Sequence, residues 1–232
     1  MEKSIYLYND NIGKISLVQC MGDELTIVNS ARVSFGVNKK ELDDKDRKLV
    51  KYLIKHKHTS TLEHNVATFI IEVPLFIRSQ HHRHRTWSYN EISRRYTDYD
   101  IKFYYPESFR TQSSSNRQAS TDNLTNPLLT TGFGGSGSAT DIVKEHCEDS
   151  LHLYNSLVNK GVSREQARMV LPQNLYTKYY ATANLNNILK FIDLRMHEGA
   201  QWEIQQLAKG MLEIILEIWP YATNVYREIK AG

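Results

Sequence analysis

The chain has 232 residues, of which 41% are hydrophobic and 24% are charged, and this is the composition of an ordinary globular protein with one sizeable core. Its formal net charge of +3 is too small to indicate a nucleic-acid-binding protein by itself, and it has neither an apolar run of membrane-spanning length nor a secretory leader. The two cysteines, Cys20 and Cys147, lie far apart and outside any Cys-x-x-Cys pattern. We therefore expect a cytoplasmic protein without membrane partners.

The first third of the chain predicts two strands and two helices. Short apolar runs at 5–8 and 15–20 flank a turn rich in Asn, Asp and Gly, which is typical of paired strands. A helix is predicted over 23–34, and an amphipathic helix over 43–57 has aspartates at its start.

The middle of the chain predicts strands that end at prolines. The apolar, β-branched run 65–73 stops at Pro74, which then opens a short helix over 75–84. A further short strand is predicted over 101–105, before Pro106.

Residues 111–140 are rich in Ser, Thr, Asn and Gly and predict a flexible surface insertion. Its glycines lack the Gly-Lys-Ser/Thr ending and the preceding strand of a phosphate loop, which excludes that motif. Beyond it, the pattern predicts helices over 141–159, 163–171, 184–196 and 201–218 and a strand over 175–183. Because the strands are scattered and form no regular βαβ array, we predict one mixed α and β domain over residues 1–232.

The segment from Arg83 to Tyr96 carries most of the chemistry of the chain. Its fourteen residues include four arginines, a histidine, two serines, an asparagine and a glutamate, with Ile92 as the one aliphatic side chain. Strong donors at this density cannot be buried without partners. Arginine suits phosphate and carboxylate, whereas Ser, Asn and Glu suit the edges of a heterocycle or a ribose. The segment therefore predicts a site for large anionic ligands.

This segment also resembles the defining motif of the flavin-dependent thymidylate synthases, which is Arg-His-Arg, seven residues and Ser. Here the motif is Arg83-His84-Arg85 with Ser93, and Ser88-Tyr89-Asn90-Glu91 extends the match. Further similar segments are His58-Thr59-Ser60-Thr61-Leu62-Glu63-His64, Ala167-Arg168-Met169-Val170-Leu171-Pro172 and Phe191-Ile192-Asp193-Leu194-Arg195. The resemblance covers most of the chain and thins over the insertion.

The resemblance implies an α+β fold with an antiparallel-rich sheet and packed helices. It implies reductive methylation of deoxyuridylate (dUMP) to deoxythymidylate (dTMP), with bound FAD, with NADPH as the reductant and with 5,10-methylenetetrahydrofolate as the carbon donor. It also implies a homotetramer with shared active sites, since one small domain can hardly enclose FAD, a nucleotide and a folate.

The resemblance further implies the residues of the site, with Arg195 as the catalytic residue that contacts the pyrimidine and promotes its ionisation at N3. The implied dUMP contacts are Gln80, His81, His82, Arg83, Glu91, Ile92, Ser93, Arg94, Arg95, Arg168 and Arg195. The implied FAD contacts are Ser60, Arg83, His84, Arg85, Glu91, Asn184, Asn186 and Lys190. Two positions depart from the family pattern: Lys190 stands where Asn or His is expected, and Gly199 stands where His is common.

The residues alone leave two other functions open. Basic residues interleaved with Trp87, Tyr89, Tyr96 and Tyr99 suit a module that binds single-stranded nucleic acid, although Glu91 and the small net charge disfavour it. Several histidines between 56 and 84 suggest a metallohydrolase, but no His-Glu-x-x-His spacing or cysteine ligand set accompanies them. We therefore expect small-molecule substrates, no nucleic-acid partner and no metal.

The two cysteines bear on the chemistry of thymidylate synthesis, in which C5 of uracil must become a nucleophile. One route adds a thiolate at C6, and that thiol needs an exposed, basic setting. Cys147 lies beside a carboxylate in a predicted helix and Cys20 ends an apolar strand, so neither fits. A fixed arginine can instead stabilise the N3-deprotonated ring, which agrees with the flavin-dependent route.

Overall fold

A computed structural model describes residues 4–132 and 134–231, so Phe133 in the predicted insertion, and residues 1–3 and 232 of the predicted domain, lie outside the described residues. The described chain forms two compact units. The first unit comprises residues 4–71, 81–90 and 179–231, and the second comprises residues 72–80 and 91–178. The single domain over residues 1–232 stays a prediction. No helix in residues 4–132 and 134–231 is long and apolar enough to cross a membrane.

A five-stranded sheet has the strand order β1-β2-β3-β9-β4. Its strands are β1 (Ser4–Tyr6), β2 (Lys14–Met21), β3 (Val66–Pro74), β4 (Ser88–Glu91) and β9 (Tyr176–Asn184). Strands β1 and β2 are antiparallel, and the turn between them closes where the Leu7 N–H donates to the Gly13 carbonyl at 2.8 Å. The predicted strands over 5–8, 15–20, 65–73 and 175–183 are therefore confirmed, as is the α+β class.

Five helices complete the first unit: α1 (Glu24–Arg32), α2 (Asp44–Lys55), α6 (Leu185–Arg195), α7 (Trp202–Ile218) and α8 (Pro220–Ala231). Asp23, Asp43 and Asn184 cap three of them by accepting a backbone N–H with the side chain. Helix α8 is missed by the sequence pattern, which ends the helical region at Pro220. Proline instead opens α8, because its fixed φ and missing N–H suit the first helical position.

Helix α7 packs closely on β2 in the core of the first unit. A Cβ atom at Gly210 would lie 3.0 Å from Ile15 Cγ2 and 3.1 Å from Leu7 Cδ2, so the close approach requires glycine. Trp219 is fully buried, and its indole N–H donates to the Gly22 carbonyl at 2.9 Å. Each fully buried aliphatic side chain of this core contributes roughly 1.5–3 kcal/mol of transfer free energy.

The second unit is built around α4 (Ala139–Asn159) and α5 (Arg164–Ala167), with most of α3 (Leu75–His81). Its core consists of Phe103, Cys147, Tyr154, Ala167, Leu171 and Leu175. Helix α4 ends before Gly161, whose φ of +88° favours glycine, as the sequence predicts. The helix predicted over 163–171 is shorter, because a 3₁₀ turn, Arg168–Val170, follows α5.

One prediction in the second unit is wrong. Residues 101–105 form no strand, because the Tyr104 N–H to the Asn174 carbonyl and the Tyr176 N–H to the Lys102 carbonyl make one isolated bridge, between Phe103 and Leu175, and no ladder. The insertion is not purely loop-like. It contains two antiparallel hairpins, formed by β5 (Phe109–Gln112) with β6 (Ser120–Thr125) and by β7 (Leu128–Thr130) with β8 (Ser136–Ser138). Its flexibility stays a prediction.

Candidate active site

The arginine-rich segment is divided between the two units. Residues 81–90 belong to the first unit, whereas Gln80 and residues 91–95 belong to the second. Its polar side chains therefore have different neighbours in the two units.

In the first unit, His81 lies at the centre of an aromatic group that we call the histidine cluster. Its members are His81, His82, His84, Trp87, Tyr89, Tyr179, Phe191 and Arg195. The His81 ring is fully buried, with its centroid 4.7 Å from those of Trp87 and Phe191. Any contact of His81 with a ligand would therefore use its backbone, although the sequence places its side chain among the candidate contacts.

The His81 imidazole is held by one hydrogen bond. Its Nδ1 lies 2.9 Å from the Tyr179 hydroxyl, and its buried Nε2 has no hydrogen-bond partner in the described parts of the chain. Burial lowers the pKa of His81 well below its ordinary value, and the neighbouring His84, His82 and Arg195 lower it further. The ring is therefore neutral, and Tyr179 fixes its orientation.

His84 and Arg195 meet in the same cluster. The Arg195 Nε–H donates to His84 Nε2 at 3.1 Å, from the last residue of α6. Desolvation and the guanidinium charge lower the pKa of His84 to about 4, so this imidazole is a neutral acceptor at pH 7. Burial also lowers the pKa of Arg195, but a guanidinium stays charged. The geometry fixes one cation beside a neutral ring.

Tyr89 contacts three histidines of the histidine cluster. Its hydroxyl lies 3.0 Å from the His81 carbonyl and 3.1 Å from the His84 carbonyl, and its ring stacks on His82 with centroids 4.0 Å apart. Sequence reasoning assigned no role to Tyr179, and it considered Tyr89 only as part of the motif match and as a residue that could stack on nucleic acid. The available signal was the alternation of β9, in which 177, 179, 181 and 183 are all buried.

The guanidinium groups of Arg83 and Arg85 are exposed. Neither makes an ion pair or a side-chain hydrogen bond within residues 4–132 and 134–231. Both are therefore available to an anionic ligand.

The remaining candidate flavin contacts of the first unit lie on α6 and on the 3₁₀ turn Thr59–Leu62. Ser60 and Lys190 are exposed, Asn184 caps α6, and the buried Asn186 amide donates to Glu63 Oε1 at 2.9 Å. Hydroxyl, amide and cationic donors of this kind suit the diphosphate, ribityl chain and ring edges of FAD. The donor set of the first unit therefore fits the cofactor.

Gly199 is the position where the family commonly has His. Its N–H donates to His197 Nδ1 at 3.0 Å.

In the second unit, ion pairs join residues 94–98 to α5 and its neighbours. We call this group the arginine cluster; it consists of Arg94, Arg95, Asp98, Arg164, Glu165 and Arg168. Arg95 pairs with Glu165 at 3.3 Å, and Arg164 pairs with Asp98 at 3.0 Å. Both pairs are exposed to solvent, so neither contributes much to stability.

The three motif arginines of the second unit differ in what they contact. Arg94 donates to the Tyr99 carbonyl at 2.7 Å and thereby orders its own loop, and burial lowers its pKa. Arg95 and Arg168 are exposed, and the Arg168 Nε–H donates to the Glu165 carbonyl at 3.3 Å. The guanidinium groups of Arg95 and Arg168 are thus accessible to an anion, whereas that of Arg94 is hydrogen-bonded to its own loop.

The Ser93 hydroxyl can act as a hydrogen-bond donor. Its Oγ accepts the Arg95 N–H at 3.2 Å, which leaves its own O–H able to donate to a ligand. The adjacent Ile92 N–H donates to the Lys178 carbonyl at 2.9 Å, and Gln80 is half-buried on α3.

Glu91 is held by two residues that sequence reasoning did not assign to the site. The Thr177 hydroxyl donates to Glu91 Oε1 at 2.6 Å, and the Arg78 Nε–H donates to the same oxygen at 3.1 Å. Arg78 precedes the motif on α3, and Thr177 is buried on β9.

The cysteines offer no nucleophile of the required kind. Cys147 is buried in the core of the second unit, and burial raises the pKa of its thiol. Cys20 is exposed near the end of β2. The described residues also contain no group of three or more His, Cys, Asp or Glu side chains that could hold a metal ion.

Comparison with known proteins gives consistent matches. The family model described as thymidylate synthase complementing protein matches residues 16–221. A flavin-dependent thymidylate synthase of Thermus thermophilus is 41% identical over 216 residues, which cover 93% of this chain and 76% of the relative. The corresponding enzyme of Thermosipho africanus is 36% identical, with 92% and 90% covered.

A solved structure is also similar. The crystal structure of the UMP/dUMP methylase PolB from Streptomyces cacaoi, bound with 5-Br dUMP, superimposes with a TM-score of 0.79 at 29% identity, covering 97% of both chains. These relatives support neither the nucleic-acid-binding module nor the metallohydrolase.

Proposed function

The chain belongs to the flavin-dependent thymidylate synthase family and is an enzyme of this type, and we propose that it converts dUMP to dTMP with Arg195 as the catalytic residue. In this reaction C5 of the uracil ring must attack a one-carbon unit, and the neutral ring is a poor nucleophile. Loss of the N3 proton makes the ring electron-rich, and a cation held at that position stabilises the anion. Arg195 supplies such a cation.

The contact between Arg195 and His84 carries the proposal. The hydrogen bond from Arg195 Nε to His84 Nε2, at 3.1 Å, orients the guanidinium, and the His84 ring that accepts it is neutral at pH 7. The guanidinium charge held in this orientation would stabilise the ionised pyrimidine. The buried Cys147 thiol, whose pKa is raised, supports a route without a thiolate.

We assign the flavin contacts to donors of the first unit. Arg83, Arg85 and Lys190 are exposed cations that would hold the diphosphate of FAD. Ser60, Asn184 and Asn186, with the His84 backbone and ring, would bind the polar edges of the cofactor. When bound, the flavin supplies the hydride that completes the methyl group.

We assign most nucleotide contacts to the second unit. Arg95 and Arg168 would bind the phosphate with their exposed guanidinium groups, and Ser93 would donate its free hydroxyl proton. Glu91 would accept from a donor of the nucleotide. Arg94 orders residues 94–100 by donating to the Tyr99 and Asp100 carbonyls, and it would add its charge to the same set.

NADPH and 5,10-methylenetetrahydrofolate complete the proposed reaction as the reductant and the carbon donor. We also propose a homotetramer in which several subunits contribute to each site, because FAD, a nucleotide and a folate exceed what one small chain encloses. A catalytically active monomer in analytical ultracentrifugation would refute the tetramer.

The purified protein should carry bound yellow flavin, and Arg195→Ala should test the catalytic assignment. We expect this variant to lose at least about a hundredfold in dTMP formation while its flavin absorbance is retained, since the lost cation acts on the pyrimidine. Lys230→Ala is the matched control, because Lys230 is an exposed cation paired with Asp193. An Arg195→Ala enzyme that turns over like the parent would show that ring activation lies elsewhere.

A further inference from the structure

The Glu91 carboxylate is held through only one of its two oxygens. Oε1 accepts the Thr177 hydroxyl at 2.6 Å and the Arg78 Nε–H at 3.1 Å. Oε2 makes no hydrogen bond or ion pair to the residues of 4–132 and 134–231. The side chain is 22% exposed, so the second oxygen remains open to a ligand donor.

The two donors constrain Glu91 in different ways. Thr177 is 5% exposed, and it lies on β9 beside the end of β4, where the Ile92 N–H bonds to the Lys178 carbonyl. Its short side chain therefore fixes the Glu91 rotamer against a rigid strand. Arg78 comes from α3 and pairs with the carboxylate charge. Together they occupy Oε1 and hold the carboxylate plane.

We propose that Thr177 and Arg78 are positioning residues that act through Glu91 and present its Oε2 to the bound nucleotide. The inference rests on the proposed function, in which Glu91 contacts dUMP. Neither residue itself touches the substrate. The gain is preorganisation: a carboxylate already fixed in the binding rotamer loses less side-chain entropy when the nucleotide binds.

A change at Thr177 gives the sharpest test. Thr177→Val keeps the shape of the side chain and removes the hydroxyl, whereas Thr177→Ser keeps the hydroxyl. Calorimetry of the flavin-loaded protein should show that Thr177→Val raises the Kd for dUMP about tenfold, the expected loss for a hydrogen bond to a charged acceptor. Thr177→Ser should stay within about twofold of the parent, because the donor is rescued.

The matched control lies on the same strand. Thr182→Val removes a hydroxyl from the Thr68–Thr182 hydrogen bond of 2.9 Å and should leave the Kd for dUMP unchanged. A control variant that weakens dUMP binding as much as Thr177→Val does would reduce Thr177 to a structural role and overturn the inference. In steady-state assays, Thr177→Val should raise KM and change kcat by less than about threefold.

A double-mutant cycle separates the inference from the proposed function. If Thr177 acts through Glu91, then Thr177→Val should add no further loss of dUMP affinity on a Glu91→Gln background. Additive losses would contradict the positioning role. If Glu91→Gln alone leaves dUMP binding unchanged, the proposed role of Glu91 itself is wrong. If Glu91→Gln weakens binding and Thr177→Val does not, the positioning role fails while the proposed function stands.

Arg78→Met provides a second route, should Thr177→Val fold poorly. The methionine keeps most of the packing of the arginine stem and removes the donor and the charge. We expect about a threefold higher Kd for dUMP, again absent on the Glu91→Gln background. An unchanged Kd in Arg78→Met would remove Arg78 from the proposal.

Discussion

The histidine cluster of the first unit and the arginine cluster of the second contain neighbouring parts of the arginine-rich segment. The two clusters differ in how deeply their polar side chains are buried. In the histidine cluster His81 is fully buried, and burial holds the pKa values of His81 and His84 down. In the arginine cluster the pairs Arg95–Glu165 and Arg164–Asp98 are exposed, and their charges stay in solvent. Burial therefore decides which polar contacts carry stability and which are left for ligands.

Because of this difference in burial, single substitutions should affect the two clusters differently. A buried polar atom that loses its partner keeps its full desolvation cost, whereas an exposed ion pair is replaced by water at little cost. Changes in the histidine cluster should therefore alter the free energy of unfolding. Changes in the arginine cluster should alter ligand affinity at almost constant stability.

Tyr179→Phe should have the largest effect on stability. The variant leaves buried His81 Nδ1 without its partner at 2.9 Å and should lower the free energy of unfolding by about 1–3 kcal/mol, measured by urea denaturation. Tyr180→Phe is the matched control on the same strand. Because Tyr180 is 47% exposed, its loss should stay within about 0.5 kcal/mol. Equal effects of the two variants would mean that the His81 hydrogen bond is not what stabilises the cluster.

Part of the pH dependence of stability should come from His84, and buried His81, whose pKa is also lowered, should add to it with the same sign. The pKa of His84 in the folded state, about 4, lies below the ordinary value of 6.5, so the unfolded chain binds more protons between these values. The stability that His84 contributes is therefore complete above about pH 6.5 and is lost as the pH falls towards 4. Because the ring is only partly buried, we expect about 1 kcal/mol to be lost between pH 7 and pH 5.

Thermal melting at pH 7 and pH 5 can measure this contribution. His84→Gln should reduce the pH dependence by the share of His84 and leave that of His81, whereas His152→Gln changes an exposed histidine of α4 and serves as the control. If His84→Gln keeps the full dependence, the acid sensitivity resides elsewhere in the first unit.

Glu165→Gln should have the smallest effect on stability, and a distinct effect on binding. Its ion pair with Arg95 is half-exposed, so stability should change by less than about 1 kcal/mol. The carboxylate competes with a phosphate for Arg95, so its neutralisation should lower the Kd for dUMP about two- to threefold. Asp122→Asn removes a charge from another exposed pair, with Arg110, and controls for net charge. A Kd that rises in Glu165→Gln would contradict the competition.

Local sequence patterns were enough to predict most helices and most strands of the five-stranded sheet, and they also predicted large anionic ligands. Apolar periodicity, helix caps and proline positions are local signals, and the spacing of Arg83-His84-Arg85 and Ser93 is visible without a fold. The same local rules failed for residues 101–105 and for α8. A strand at 101–105 needs a neighbouring strand with which to form a ladder, and the sequence does not show that neighbour. Pro220 could either end one helix or begin the next, and it begins α8.

The contacts of each polar side chain could be read only from the folded structure. Nothing in the segment distinguishes the buried His81 from the exposed Arg83, or Arg94, which orders its own loop, from Arg95. The partners Tyr179 and Thr177 are 98 and 86 positions from His81 and Glu91 in the chain. Burial and long-range hydrogen bonding are properties of the folded unit, because they depend on which distant strands and helices pack around a residue.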